Sequence, residues 1–315
     1  MNTKILVTGA MGQIGSELVP ALRAKHGNEN VIAVGYNTKP SDEFRNAGPF
    51  EEVDVRDKDA IKALIQKYNI TEIYHLVGVL SAVGEDNPNL AWDVNVNGLN
   101  NVLELCLEFK IEKLFWPSSI ASFGPTTPME DTPQKTILEP TTMYGVTKVT
   151  GELLCQYYHI KYGLDVRSLR YPGIISWKTA PGGGTTDYAV AIYYDAIEKG
   201  SYDCFVSEDT RLPMMYMDDA IKATLQLMEA DSEKISIRTS YNLTAVSFSA
   251  KELADNVSKH IENFSCTFNP DSRQKIADSW PSSIDDSQAR KDWNWKHEFG
   301  LEEISVDMIK NLKNK

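Results

Sequence analysis

The segment TGAMGQIG, residues 8–15, places three glycines between an apolar run and a helical pattern, and it constrains the fold more than any other stretch. The preceding ILV predicts a buried strand, and the following GSELVPALRAKHG predicts a helix. Gly9 permits a tight turn, Gly12 lets a pyrophosphate approach the backbone, and Gly15 lets the helix pack on the strand. The amino end of the helix would face the phosphates, so we expect Gln13 and Ile14 to contribute to the same site.

Apolar runs continue to alternate with helical patterns through the first half of the chain. ILVTGA, NVIAVGY, EIYHLVGV, KLFWPSS and DVRSLRYPG read as strands, and with the short third strand before VDVRD they make six by Tyr171. This alternation predicts an α/β fold, a doubly wound parallel sheet of the Rossmann type. After Pro172 the alternation loosens, which predicts a boundary between a dinucleotide-binding domain at 1–172 and a smaller substrate-binding lobe at 173–315, with some segments returning to the first domain.

Composition excludes several classes of function. The net charge is -12 and the sequence has no basic run, so we expect no nucleic acid partner. The first residues run into a strand pattern without an export leader, and no stretch of 18 apolar residues predicts a membrane helix, so we expect a cytoplasmic protein. The four cysteines lack CxxC spacing and read as reduced packing residues, and the five histidines lack ligand spacing, so we expect no metal.

The second strand lacks the acidic residue that usually holds the adenosine ribose of a dinucleotide. Gly35, Tyr36 and Asn37 stand there instead. Asn37 would bond a ribose hydroxyl, whereas Lys39 would suit a 2'-phosphate; we favour NAD over NADP. Asp54, after the third strand, is placed either to accept from the adenine amino group or to act as a solvated turn carboxylate.

Tyr144 and Lys148 lie four residues apart, so on a helix they share one face. A neighbouring ammonium lowers the pKa of a phenol, which would make Tyr144 a base near neutral pH with help from an oxidised nicotinamide. Ser118 and Ser119 end the strand before that helix, and a Ser119 hydroxyl beside Tyr144 would suit acid-base catalysis of hydride transfer. Asn95 and Asn97 precede that strand, where each amide would hold a catalytic water or the lysine chain, or else serve packing or capping.

These motifs resemble the extended short-chain dehydrogenase/reductase family, whose glycine, NxxG, serine and YxxxK pattern covers Gly9 to Lys148. WPSSIASFGPTTP, LRYPGIISWKTAPGGGTTDYA and RLPMMYMDDAIKATLQLME resemble its L-threonine 3-dehydrogenase subfamily, which commonly has an acidic residue where Gly35 stands. The resemblance implies NAD-dependent oxidation of L-threonine to 2-amino-3-oxobutyrate, with Tyr144 as general base, and a homodimer formed by helices at 97–109 and 144–162. It also implies NAD contacts from Val55, Leu76, Val77, Gly78, Asn95, Tyr144, Lys148, Tyr171, Pro172 and Ile174.

The carboxylate of an amino acid substrate needs polar partners in a closed pocket. The segment PGGGTTDYA is the candidate that would supply them. We interpret Thr185 or Thr186 as the N-cap of the next helix. Both threonines, with the neighbouring amides near Gly184, would bind the substrate carboxylate in a mobile lid; the alternative is an ordinary capped surface loop. Ser81 would bond the substrate or form a turn. Trp280 would cover the substrate methyl or belong to the core.

Two rival functions share parts of this pattern. A sugar-nucleotide epimerase or dehydratase would need to neutralise a second diphosphate, and its candidate cations are not clustered in the sequence: Arg211, Arg238, Arg273 and Arg290. An NAD-sensing binding protein would not need the tyrosine and lysine pair. The joint presence of Ser119, Tyr144 and Lys148 favours the dehydrogenase.

Overall fold

The computed structural model describes residues 3–315, and within them the chain forms 13 α-helices and 12 strands. The strands are β1 (Ile5–Thr8), β2 (Val31–Gly35), β3 (Phe50–Glu52), β4 (Glu72–His75), β5 (Lys113–Ser119), β6 (Val166–Tyr171), β7 (Gly173–Ile175), β8 (Ser201–Cys204), β9 (Arg211–Tyr216), β10 (Tyr241–Asn242), β11 (Val246–Ser249) and β12 (Ser265–Phe268). The helices are α1 (Gly15–His26), α2 (Asp42–Asn46), α3 (Lys58–Tyr68), α4 (Ser81–Asp86), α5 (Pro88–Trp92), α6 (Gly98–Glu108), α7 (Met143–Tyr162), α8 (Tyr188–Lys199), α9 (Met217–Glu229), α10 (Ala250–Ser258), α11 (Arg273–Ala277), α12 (Ser287–Trp293) and α13 (Leu301–Lys313).

The central sheet has seven strands in the order β10-β6-β5-β4-β1-β2-β3. β1 pairs in parallel with both β2 and β4, with Thr8 opposite Val34 and His75. All four residues of β1 and all five of β2 are buried, as expected for strands covered by helices on both faces. The predicted doubly wound parallel sheet is confirmed, and six of its strands occur before Pro172 as the sequence indicated.

The chain divides into two compact units that interleave along the sequence. The sequence predicted a main boundary at Pro172, with some later segments returning to the first domain. The first unit comprises the segment that ends at Ser118 together with Thr147–Leu169 and Thr224–Ser240. Its core consists of strand residues such as Leu6 and Ile73 packed against side chains of α3, α6 and α7. Apolar burial of this kind is the main stabilising term.

The second unit comprises Ser119–Val146, Arg170–Ala223 and Tyr241–Lys315. It contains a three-stranded sheet in the order β11-β9-β7 and a two-stranded sheet of β12 and β8. Its core is built around α8, whose Tyr188, Ile192 and Tyr193 are nearly inaccessible to solvent. In the described residues no helix is both long and apolar enough to cross a membrane.

Candidate active site

The predicted phosphate loop has the geometry that its glycines require. Gly9 has φ +73°, a conformation that side chains rarely adopt, and the Gly12 N–H donates to the Gly9 carbonyl over 3.0 Å. A Cβ at Gly15 would lie 2.2 Å from the Gly9 oxygen. Helix α1 therefore begins in close contact with the turn, with Ile14 as its N-cap and Gln13 just before it. This is the cradle in which a pyrophosphate meets a helix amino end.

A cleft of about 360 Å³ lies beside this loop, wholly within the first unit. Eight predicted cofactor residues line it: Gly9, Gly12, Asn37, Asp54, Val55, Leu76, Val77 and Gly78. Sequence reasoning missed ten further lining residues: Met11, Val34, Gly35, Tyr36, Thr38, Val53, Arg56, Val79, Leu90 and Val94. Most of them adjoin a predicted residue, as Val94 adjoins Asn95, so the predicted positions were a usable signal, but Leu90 comes from a helical segment that gave none.

Gly35 and Asp54 shape the far end of the cleft. A Cβ at Gly35 would lie 2.9 Å from the Phe50 ring and 3.1 Å from Met11 Cγ, so packing disfavours a side chain there. The Asp54 carboxylate accepts from the Arg56 guanidinium over 2.6 Å. Hydrogen bonds from Arg56, and a further one from Tyr36, lower the pKa of Asp54 against the effect of its partial burial. Asp54 is thus an ion-paired carboxylate on the cleft wall rather than a freely solvated one.

A π-helical turn at Asp93–Asn97 connects α5 to α6, a feature that sequence patterning did not predict. It carries Asn95, whose amide oxygen accepts from the Val79 N–H over 2.7 Å. The Asn95 amide nitrogen donates to the Val79 carbonyl and to Thr147 Oγ1, each over 3.0 Å. Asn95 therefore fixes the backbone of the cleft wall to α7 next to Lys148. Asn97 is bonded instead to Asp93.

Ser119 and Tyr144 meet within the second unit. Their hydroxyl groups are hydrogen-bonded to each other, and Ser119 Oγ also accepts from the Ala121 N–H over 3.2 Å. Gly145 makes this approach possible, because a Cβ there would lie 2.2 Å from the Ala121 carbonyl oxygen and 2.5 Å from Pro140 Cβ. These are the two hydroxyls that the sequence predicted to reach one substrate oxygen.

Burial against the second-unit core raises the pKa of Tyr144 to about 12, and the hydrogen bond from Ser119 only partly offsets this. Removing a phenolate from water costs more than one hydrogen bond returns. The lowered pKa expected from Lys148 together with an oxidised nicotinamide stays a prediction.

Lys148 lies on α7 within the first unit and is nearly fully buried. Its ammonium donates to the Pro117 carbonyl over 2.7 Å and lies 4.7 Å from the centre of the Trp116 ring. Burial lowers its pKa to about 8, while the charge of Glu152 acts in the opposite direction. Ser118 is not directed to a ligand site in this arrangement; its hydroxyl donates to the Glu152 carboxylate over 2.6 Å.

The glycine-rich segment differs from its prediction in one respect. Helix α8 begins at Tyr188 with Asp187, not Thr185 or Thr186, at the N-cap position. The Asp187 carboxylate accepts from the Gly182 N–H over 2.6 Å and from the Gly184 N–H over 2.9 Å. These loop amides already bind a carboxylate of the chain itself, so their predicted role as the substrate carboxylate site is not supported.

The other residues predicted to contact the substrate or the nicotinamide are buried or half-buried. In the first unit, Ser81 is buried as the first residue of α4. In the second unit Thr185 is buried, Thr186 lies 3.0 Å from where a Cβ of Gly173 would be, and Trp280 packs in the core. Three residues at the end of β6 and in β7 are buried or half-buried: Tyr171, Pro172 and Ile174.

Among residues 3–315, no three His, Cys, Asp or Glu side chains lie close enough together to hold a metal ion. The chemistry available is therefore that of a nucleotide cleft, a Ser–Tyr hydroxyl pair and a buried ammonium.

Comparison with known proteins agrees with this set of groups. The family model described as the NAD dependent epimerase/dehydratase family matches residues 5–243. The mitochondrial L-threonine 3-dehydrogenase of Bos taurus is 48% identical over 307 residues, which cover 97% of this chain and 82% of that protein. The structure of the holo form of an L-threonine dehydrogenase from Cupriavidus necator has a TM-score of 0.95 and 49% identity, covering 98% of this chain and 99% of that one. An L-threonine dehydrogenase structure from Clostridium difficile has a TM-score of 0.97 and 48% identity, covering 99% and 98%. The chain belongs to the NAD-dependent epimerase/dehydratase family.

Proposed function

We propose that this protein oxidises L-threonine to 2-amino-3-oxobutyrate with NAD as the oxidant. The observation that carries the proposal is the hydrogen bond between Ser119 and Tyr144, which presents two hydroxyl groups to one substrate oxygen. The names of the similar proteins, at 48–49% identity over nearly the whole chain, support threonine as the alcohol.

The first-unit cleft fits a dinucleotide. The Gly9 turn, the α1 amino end and the walls at Asp54 and Val77 supply the backbone donors, polar groups and apolar contacts that such a ligand needs. Bound NAD would supply the acceptor for the hydride that leaves the β-carbon of threonine. The lack of an acidic residue at Gly35 leaves Asn37 to contact the ribose hydroxyls.

Tyr144 takes the proton of the threonine hydroxyl as the hydride departs from the β-carbon to NAD, so the alcohol loses one proton and one hydride, two hydrogens and two electrons in all, and a ketone forms. Ser119 hydrogen-bonds the same oxygen and holds it beside the phenol. Lys148, with a pKa of about 8, is mostly protonated at pH 7 and stabilises the phenolate from the same face of α7.

Substrate specificity is assigned to Ser81, Thr185, Thr186 and Trp280, which we propose contact the amino acid. Because Asp187 already occupies the loop amides, the threonine side chains rather than those amides are the proposed partners of the substrate carboxylate. Replacing Thr186 with Ala is expected to raise the KM for threonine with a smaller effect on kcat.

We further propose a cytoplasmic homodimer that pairs α6 and α7 of two subunits. Leu153, Tyr157 and Ile160 form an apolar stripe on α7 and are 56%, 47% and 74% exposed. An Ile160→Glu variant is expected to be monomeric by light scattering, while an Ile137→Glu change, at an exposed site elsewhere, leaves the dimer intact.

The decisive experiment incubates the purified protein with NAD and, separately, with L-threonine, L-serine, 3-hydroxy acids and UDP-sugars. Absorbance of the reduced cofactor is expected to rise with L-threonine. Tyr144→Phe should abolish that rise while cofactor binding is retained. Turnover of a UDP-sugar alone, or a Tyr144→Phe enzyme with most of its activity, would refute the proposal.

A further inference from the structure

Glu152 continues the face of α7 that carries Tyr144 and Lys148, since the three residues are spaced four apart. Its side chain has no exposed surface, although a carboxylate is rarely found fully buried without partners. Ser118 Oγ donates to it over 2.6 Å. The preceding residue, Pro117, accepts from the Lys148 ammonium over 2.7 Å. Two consecutive residues of β5 thus hold two successive turns of α7.

The groups around this pair are otherwise neutral near pH 7. His75, on β4, is fully buried, and burial together with the Lys148 charge lowers its pKa to about 3. Burial raises the pKa of both Cys155 on α7 and Cys106 on α6. Among the titratable groups that act on Lys148 in the described chain, Glu152 is therefore the one that supplies a negative charge.

We propose that Glu152, held by Ser118, is a positioning residue that keeps Lys148 protonated in its buried site. An ammonium that loses its counter-charge in a low-dielectric interior releases its proton instead of remaining charged. Glu152 would then set the upper end of the pH range over which Lys148 can stabilise the Tyr144 phenolate. The effect on turnover rests on the proposed function, whereas the effect of Glu152 on the protonation of Lys148 does not.

The primary test is Glu152→Gln, which keeps the size of the side chain and an oxygen to accept from Ser118 but removes the charge. Lysine labelled with 13C at Cε is titrated by NMR in the protein without cofactor or substrate, and Lys148→Met assigns the resonance. We expect the Lys148 midpoint to move from about 8 to about 7 or lower. At about pH 8 the protonated fraction would fall from about one half to about one tenth, so kcat/KM should fall about fivefold there, relative to wild type.

Two controls separate charge from packing. Cys155→Ala alters the same buried patch without changing a charge and should leave the Lys148 midpoint in place, whereas Glu152→Asp keeps the charge and should largely restore it. An unchanged midpoint in Glu152→Gln, or an equal shift in Cys155→Ala, would overturn the proposal.

Stability provides a second readout if Glu152→Gln folds poorly. The double variant Glu152→Gln/Lys148→Met removes both charges and should unfold at a higher temperature than Glu152→Gln alone; a double variant no more stable would also refute the pairing. Failure of the wild-type protein to oxidise threonine would refute the proposed function yet leave the lysine titration standing, because that titration uses neither substrate nor cofactor.

Discussion

Replacing Gly145 with Ala tests whether the close approach of α7 to the turn after β5, Ile120–Ser122, sets the active geometry. Gly145 directly follows Tyr144, and a Cβ at this position would lie 2.2 Å from the Ala121 carbonyl oxygen. An ordinary C···O contact is about 3.3 Å, so the first turn of α7 must move by about 1 Å to admit the methyl group. The contacted atom belongs to the backbone and cannot rotate away, as the end of a flexible side chain would.

The expected effects on stability and on catalysis differ in size. Alanine in a helix gains about 1 kcal/mol over glycine, and overpacking costs about 1–3 kcal/mol, so the net loss of stability should be at most about 2 kcal/mol. A displacement of about 1 Å between a catalytic group and its partner reduces the rate by about 100-fold. Gly145→Ala should therefore remain folded but lose its Ser119–Tyr144 geometry and most of its turnover.

The assay pairs a denaturant unfolding curve with initial rates of threonine oxidation. Val146→Ala, at the neighbouring and exposed position of the same helix, serves as the matched control and should keep its rate. A folded Gly145→Ala enzyme with a rate within twofold of wild type would show that the spacing between α7 and the turn after β5 does not control the rate of oxidation.

Three further predictions concern charge. Burial would raise the pKa of Asp165, but Arg167 and Arg238 hold that pKa at about 2. The ionised carboxylate therefore stabilises the folded state above about pH 3.9, the pKa of Asp in the unfolded chain, and this stabilisation is lost as the pH falls toward 2. Asp165→Asn leaves the charge of the buried Arg167 without a counter-charge and should lower the free energy of unfolding in urea by about 3–5 kcal/mol. Asp271→Asn breaks an exposed ion pair with Arg273 and should lower it by less than about 1 kcal/mol. Equal losses of stability in the two variants would contradict this prediction. His75, neutral and bonded to Thr8 over 2.7 Å, has a pKa of about 3, so the unfolded chain takes up its proton below about pH 6.5 and stability should fall with decreasing pH. His75→Asn should reduce that slope by up to about 1.4 kcal/mol per pH unit between pH 6 and 4, and parallel curves would refute the assignment. Asp187→Asn weakens the acceptor of the Gly182 and Gly184 amides and should increase hydrogen exchange in that loop; unchanged exchange would show that the carboxylate does not hold the loop.

The sequence predicted the sheet and the phosphate loop well, because both depend on local patterns. Strand β1 is an unbroken apolar run, and the turn at Gly9 needs a residue that accepts positive φ. The carboxyl ends of parallel strands share one edge, so cleft residues such as Asp54 and Val77 could be predicted from strand ends alone.

The N-cap residue of α8 could not be predicted, because several neighbouring residues suit that position. Thr185, Thr186 and Asp187 are all good N-cap types, and the sequence does not rank them. Asp187 stands at the N-cap position, but its side chain makes no cap hydrogen bond to α8; its carboxylate accepts instead from two glycine amides of the preceding loop. The π-helical turn at Asp93–Asn97 also lacks a local signal, since it is specified by contacts with Val79 and Thr147 that are distant in sequence.

The ionisation of Tyr144 shows where residue spacing stops being informative. The sequence indicated a pKa lowered by Lys148 together with an oxidised nicotinamide, whereas burial among the protein's own residues raises it to about 12. Lowering it to about 7 would need about 7 kcal/mol at 1.36 kcal/mol per unit, which exceeds what one ion pair or hydrogen bond provides. The proposed mechanism therefore requires Ser119, Lys148 and bound oxidised NAD to act together. This requirement explains why a buried carboxylate behind Lys148 matters, since an uncharged lysine would remove one of the three contributions.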